Sequence, residues 1–245
     1  MILCIDSGNS RIKWGIAAEA ASAWLAEGVL AHEEVGAFAA LSANWPQLRC
    51  VMLANVAGPA VEAAICAALG EAAGRVRIVR SASSAAGVVN RYENPEKLGV
   101  DRWCALIAAR SLGVSSQLVV MAGTATTIDG LDAEGNFLGG VILPGRALMH
   151  AALARGTAGL PLAQGVYADW PRRTDDAIAS GAVEALTGAI ERAWRRLPGE
   201  ERSCLLSGGD AMTLTNHLVI PHRCVENLPL LGLRVLASLS LHREA

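Results

Sequence analysis

Short apolar runs alternate along the chain with stretches whose apolar residues recur at helical spacing. Residues 2–6 form an apolar run that closes on Asp6-Ser7-Gly8-Asn9-Ser10, and residues 12–17 form a second run carrying Lys13 and Trp14. Together they predict a β-hairpin with a turn of glycine and small polar groups. A third strand is expected near residues 24–30, and residues 49–55 read as a buried strand. Pro59 then opens a helix with Val61, Ala64, Ile65, Ala68, Leu69 and Ala72 on one face, and Gly74 is expected to stop it. Residues 76–79 read as a strand and residues 95–112 as a helix.

The opening theme then returns. Residues 118–122 are an apolar strand, Gly123-Thr124-Ala125-Thr126-Thr127 a glycine and hydroxyl turn, and residues 137–143 a return strand before Pro144-Gly145. An amphipathic helix is expected over residues 174–197, with Ile178, Ala182, Leu186 and Ile190 on its apolar side, then a strand at 204–206, the turn Ser207-Gly208-Gly209-Asp210 and a last helix near 230–241. Strands alternating with helices predict an α/β fold, and the repeated opening predicts two related halves, residues 1–113 and 114–245.

Composition narrows the function. With 52 % hydrophobic and 18 % charged residues the chain is a folded protein rather than a disordered tail, and a net charge of -2 gives no basic field to hold nucleic acid or an anionic membrane. Residues 111–128 carry no acidic or basic side chain, yet their glycines, serines and threonines are too polar to span a bilayer. The aspartate at position 6 interrupts the first apolar run where a signal peptide would continue, so the cytoplasm is expected. The six cysteines are scattered among apolar residues and read as small core hydrophobes. His217, His222 and Cys224 lie close in sequence but offer only three ligands across Pro221, and read as loop and core residues rather than a zinc site.

The turns at Asp6 to Ser10 and at Gly123 to Thr126 suit the same task. Glycine lets the backbone approach an anion, and neighbouring amides and hydroxyls donate to phosphate oxygens. Lys13 adds a positive charge, and Asp6 could hold a metal ion or its water. Ordinary hairpin chemistry accounts for either turn alone. It does not account for the pair, which at equivalent places in two halves would face a polyphosphate across a cleft. A Walker loop, a G-x-G-x-x-G turn after a strand and a G-x-S-x-G elbow are absent from the sequence.

Asp6-x-Gly8-Asn9-Ser10-x-x-Lys13, Tyr92-x-Asn94-Pro95-x-x-Leu98-Gly99-x-Asp101-Arg102, Gly123-Thr124-Ala125-x-Thr127, Gly139-Gly140-x-Ile142-x-Pro144-Gly145, Thr174 and Ser207-Gly208-Gly209-Asp210 together resemble the type III pantothenate kinases in order and spacing. That family, which includes members described as Bvg accessory factor, belongs to the acetate and sugar kinase, Hsp70 and actin superfold. The resemblance implies two half-domains of the actin-like ATPase (ribonuclease H-like) type, each a mixed β-sheet flanked by helices, with a cleft between them. It implies phosphoryl transfer from ATP, with Mg2+, to pantothenate by a homodimer. Asp6, Ser7, Gly8, Asn9, Ser10, Arg11, Ile12 and Lys13 would form the first phosphate loop and Thr124 would contact ATP from the second. Tyr92, Gly99, Val100, Asp101, Arg102 and Thr174 would contact pantothenate, with Asp101 as the base and Ser207 to Asp210 near the adenosine. The residues also allow plainer roles: Asp101 as a helix-start carboxylate, Thr174 as a helix N-cap, Tyr92 as cover for a loop.

One position departs from the family. Met121 stands where an aspartate associated with a potassium or ammonium site is usual, and a thioether is a poor ligand for such an ion, so the cation requirement is in doubt unless Asp129 or another carboxylate reaches the same point. Met121 also leaves open a nucleotide-binding regulatory protein that kept the fold and lost catalysis. A sugar or acetate kinase is disfavoured by the short chain and by the segment from Tyr92 to Arg102.

Overall fold

The computed structural model describes residues 1–19, 23–162 and 164–242. In chain order the strands and helices are β1 (Ile2–Ser7), β2 (Ile12–Ala17), β3 (Ala26–Leu30), α1 (Ala37–Asn44), β4 (Cys50–Asn55), α2 (Pro59–Ala68), β5 (Val76–Ile78), β6 (Ser84–Ala85), β7 (Val88–Asn90), α3 (Val100–Leu112), β8 (Ser116–Ala122), β9 (Ala125–Leu131), β10 (Asn136–Pro144), α4 (Arg146–Gly156), α5 (Thr174–Arg196), β11 (Arg202–Ser207), α6 (Ala211–Thr215), β12 (Arg223–Cys224) and α7 (Leu228–His242). They group into two compact units: residues 1–114, 135–137 and 227–245 in the first, 115–134 and 138–226 in the second.

In the first unit the strand order is β3-β2-β1-β4-β5, with β1 antiparallel to β2 and parallel to β4. Because side chains alternate along a strand, the sheet is apolar on both faces. Leu3, Ile5, Val51 and Leu53 pack with Phe38 of α1 and Ile65 of α2 on one side. Ile2, Cys4, Cys50 and Met52 pack with Cys104 of α3 and Leu233 of α7 on the other. The last helix thus returns to the first unit. It can lie close to α3 because Gly232 has no side chain: a Cβ there would fall 1.9 Å from the Cys104 carbonyl oxygen.

The second unit repeats this topology. Its strand order is β10-β9-β8-β11-β12, with β8 antiparallel to β9 and parallel to β11. One face, Leu118, Val120, Ile128 and Leu206, packs on Leu186 and Ile190 of α5. The register puts Gln117, Met121, Thr127 and Asp129 on the opposite face. The repeated strand, turn, strand theme of the sequence is therefore one sheet topology used twice.

Several local expectations need correction. The helix from Pro59 ends at Ala68, not at Gly74: Leu69 caps it, Gly70 turns with φ +56°, and residues 70–75 continue as a 3-10 turn. The expected helix 95–112 is split into a 3-10 turn at Pro95–Lys97 and α3, because Leu98 is extended with ψ 133° and its carbonyl accepts from Ser81 Oγ at 2.8 Å. Thr174 is the first residue of α5 rather than its N-cap; Arg173 holds that place. His222 Nδ1 bonds to the Ile220 carbonyl oxygen and the His217 ring packs on Tyr167; among the described residues no cluster of metal-ligating side chains forms. Among them, too, no helix is long and apolar enough to cross a membrane.

Candidate active site

The turn between β1 and β2 is built by its own sequence. Gly8 N–H donates to the Arg11 carbonyl at 3.1 Å and closes the loop, while Asn9, Ser10 and Arg11 are exposed. Asp6 and Lys13 stand opposite each other in the register, so their side chains share a face. It is the face packed against α3, whose first turn carries Asp101. Asp6 is buried, 8 % exposed. Burial first, and then the negative charge of Asp101, push its pKa from the usual 3.8 up to about 7, against the pull of Lys13. Cys104, one turn further along α3, lies against the same pair: burial and then the charges of Asp6 and Asp101 push its thiol well up. Asp6, Lys13 and Asp101 thus converge from three segments.

Asp101 is held by what precedes it. The first N–H groups of a helix lack intrahelical acceptors, and here Arg102 N–H donates to Asp101 Oδ1 at 2.9 Å. A Cβ on Gly99 would sit 2.7 Å from that same oxygen, so glycine at 99 leaves the carboxylate its position. Arg102 is buried, donates from Nη1 to Tyr92 Oη at 3.0 Å, and lies 5.7 Å from the ring centroids of both Tyr92 and Phe137. Tyr92 in turn stacks on Phe137 at 5.5 Å. Tyr92, Gly99, Asp101 and Arg102 are therefore one assembly around the start of α3, whereas Val100 packs into the apolar core with Cys104 and Leu233.

Some of its supports were not foreseen. Asn90 accepts from Tyr92 N–H at 3.1 Å and donates to the carbonyls of Ala82 and Pro95, which braces the segment leading to Gly99. Its signal in the sequence is only an asparagine before a polar stretch. His32 donates from Nε2 to the Gly8 carbonyl at 3.0 Å. Phe137, under Tyr92, lies 45 residues away in sequence.

Thr124 and Thr174 belong to the second unit. Thr124 sits in the exposed turn between β8 and β9, equivalent in topology to the Gly8 turn. Gly145 N–H donates to the Thr124 carbonyl at 2.9 Å, and Asp210 N–H to the Ala122 carbonyl at 3.1 Å. Arg146 reaches Asp210 Oδ1 at 2.9 Å, so the second turn, the start of α4 and the glycine turn after β11 are stitched together. Thr174 is exposed and lines an apolar cavity of about 560 Å³ with Pro144, Met149, Leu153, Leu160 and Ile178.

Two groups implied by the sequence can be tested against these residues. A divalent ion accompanying ATP fits Asp6, a carboxylate oxygen whose burial beside Asp101 disfavours its charge and which a cation would relieve. A monovalent cation at Met121 fits less well. Thr127, opposite it, has a buried hydroxyl with no hydrogen-bond partner, and Asp129, the next residue on that face of β9, is buried but already has an interaction within the protein. The thioether itself offers a hard cation little.

The type III pantothenate kinase family model matches residues 2–196. Type III pantothenate kinases of Dechloromonas aromatica and Aromatoleum aromaticum are 56 % and 52 % identical to this chain, with 97 % of it aligned in each case and 99 % and 98 % of theirs. Solved structures similar in fold include the activator of 2-hydroxyisocaproyl-CoA dehydratase from Clostridium difficile with bound ADPNP (TM-score 0.58, 11 % identity, 100 % of this chain and 97 % of that one) and the inorganic polyphosphate/ATP-glucomannokinase from Arthrobacter (TM-score 0.51, 14 % identity, 98 % of each). The fold is that of the actin-like ATPases and sugar kinases. The chain belongs to the type III pantothenate kinase family.

Proposed function

We propose that this chain transfers the γ-phosphoryl group of ATP to the primary hydroxyl of pantothenate, giving 4'-phosphopantothenate and ADP, the first step of coenzyme A synthesis. The observation that carries the reading is the convergence of Asp101 with Asp6 and Lys13 beside the buried Arg102 and Tyr92. Asp101 takes the hydroxyl proton as the oxygen attacks phosphorus in line, and Arg102 with Tyr92, Gly99, Val100 and Thr174 positions the acceptor. Asp6 to Lys13 and Thr124 hold the phosphates, Lys13 as a positive charge and the loop through its amides. Ser207 to Asp210 would sit near the adenosine. Asp6 is the residue that would hold the Mg2+ accompanying ATP, which would supply positive charge for the phosphate oxygens. The regulatory alternative is not favoured, since the relatives are named as kinases over nearly their full length.

The test is ADP release from ATP, coupled to a reporter. Release that requires pantothenate supports the reading, and ATP consumption indifferent to pantothenate refutes it. Potassium or ammonium is proposed to contribute little, because Met121 supplies no charged oxygen. Titrating potassium at constant ionic strength decides this: a strict, saturable requirement would show that Asp129 and Thr127 rebuilt the site. We further propose a homodimer in the cytoplasm. The apolar side of α5, with Ile178, Ala182, Leu186 and Ile190, is buried inside the unit and is not free for a contact between subunits. Sedimentation equilibrium measures the mass directly.

A further inference from the structure

We propose that His32 is a positioning residue that sets the first phosphate loop for ATP through the Gly8 carbonyl. The inference rests on the reading that residues 6–13 hold the phosphates. β3 runs antiparallel to β2 and ends at Leu30, opposite Ile12, the residue that follows the loop. The chain then makes a 3-10 turn, His32–Glu34, held by Ala31 N–H donating to the Glu34 carboxylate at 2.8 Å and Glu34 N–H donating to the Ala31 carbonyl at 3.1 Å. That turn delivers the imidazole to the loop, where Nε2 lies 3.0 Å from the Gly8 oxygen. A carbonyl only accepts, so Nε2 carries the proton. Nδ1 is buried with no hydrogen-bond partner, and the bond to Gly8 is therefore the polar contact that fixes the ring.

Gly8 is the residue whose peptide would otherwise turn most freely. The Gly8–Asn9 peptide is trans and planar, which sets the Gly8 carbonyl and the Asn9 N–H in opposite directions. With the carbonyl drawn to His32, the Asn9 amide faces away from the imidazole, on the exposed side of the loop. A flipped peptide would present an oxygen to an anion in place of a donor. The Gly8 N–H is already committed to Arg11, so one end of the residue is fixed by the loop and the other by His32. The side chain thus orients a phosphate donor before ATP arrives, without touching ATP itself.

The test uses steady-state kinetics of the full chain with both substrates varied. His32→Phe keeps a ring and removes the donor; it should raise the KM for ATP roughly 3- to 10-fold, the range of one neutral hydrogen bond, with the KM for pantothenate changed less than about twofold. His32→Gln, whose amide nitrogen reaches about as far as Nε2, should restore most of the ATP affinity, and the shorter His32→Asn should not. Should the Phe variant fail to fold, judged by its thermal transition, the Gln and Asn variants alone make the comparison. Lys13→Ala separates the two layers of argument. If it raises the KM for ATP while the His32 variants leave that KM unchanged, or if Gln and Asn behave alike, the role of His32 is refuted and the loop reading stands. If Lys13→Ala affects only the pantothenate term, the loop reading itself fails.

Discussion

Asp6→Asn removes a buried carboxylate at the centre of the site, and the expected effect is a change in how stability depends on pH. The fold raises this pKa from 3.8 to about 7. The folded protein therefore holds the proton more tightly than the unfolded chain does. The contribution of Asp6 to stability is most favourable at acid pH, is lost as pH rises from about 4 to about 7, and stays lost above that. About three pH units correspond to roughly 4 kcal/mol at full extent. Asparagine has nearly the same shape and does not titrate. Its own hydrogen bonding in the site adds an offset that is the same at every pH, so the informative quantity is the slope. In guanidinium denaturation without ATP or Mg2+, the folding equilibrium of Asp6→Asn relative to wild type should gain about tenfold per pH unit between pH 5 and 7 and level off by pH 8. Added Mg2+ at pH 8 should narrow the gap by stabilising the wild type selectively. Parallel curves for the two proteins from pH 5 to 8 would show that the carboxylate is ordinarily solvated, and would refute the argument that burial and Asp101 together hold it near neutrality.

Asp101→Asn keeps the shape at the start of α3 and loses proton acceptance; turnover should fall roughly 10² to 10⁴-fold with the pantothenate affinity changed far less, and near-normal turnover would sink its assignment as the base. Gly99→Ala should also lower turnover while shifting the melting temperature little, because the new Cβ meets the movable Asp101 carboxylate at 2.7 Å rather than backbone; thermal melts beside kinetics separate the two effects. Gly232→Ala should do the reverse. Its Cβ meets the Cys104 carbonyl at 1.9 Å, an overlap that the packed pair α3 and α7 can relieve only by moving apart, so a loss of about 1–3 kcal/mol or more is expected in denaturant unfolding.

What could be read from the sequence was what is decided locally. The hairpin of β1 and β2 follows from two apolar runs and a glycine turn, and α2 follows from Pro59 and one apolar face. Helices α1 and α4 escaped because they carry little periodicity to read: among the buried residues α1 contributes only Phe38 and α4 none. The break before α3 was hidden because its cause is remote, the hydroxyl of Ser81 taking the Leu98 carbonyl. α5 starts at Thr174 as its apolar spacing predicts, but Thr174 does not cap it, for a similar reason. Gly165 packs on the Asp175 backbone and Val166 N–H donates to the Asp176 carboxylate, so a loop fixes that terminus rather than a threonine cap. In the site, the motifs named Asp6 and Asp101 separately. Their mutual influence, and the supports from Asn90 and His32, depend on backbone bonds and packing that residue spacing does not encode.

The duplicated sheet gives Met121 a meaning beyond a departure from a family pattern. Counting back from the turn glycines, Gly8 and Gly123, Asp6 on β1 corresponds to Met121 on β8. The register carries the match to the partner strands, where Lys13 faces Asp6 and Thr127 faces Met121. One copy thus places a carboxyl group opposite a lysine at this step of the ladder and the other a thioether opposite a hydroxyl. A buried carboxylate next to Asp101 is costly, as its raised pKa records, and is kept in the copy where a lysine and a metal-bearing ligand could offset it. In the second copy Asp129 already supplies one buried carboxylate on the same face. An aspartate at 121 would add a second without a lysine opposite, so it would need a bound cation to be tolerated. Methionine removes the repulsion, and a potassium titration in which Met121→Asp gains a saturable requirement that the wild type lacks would show that the need for the ion goes with it.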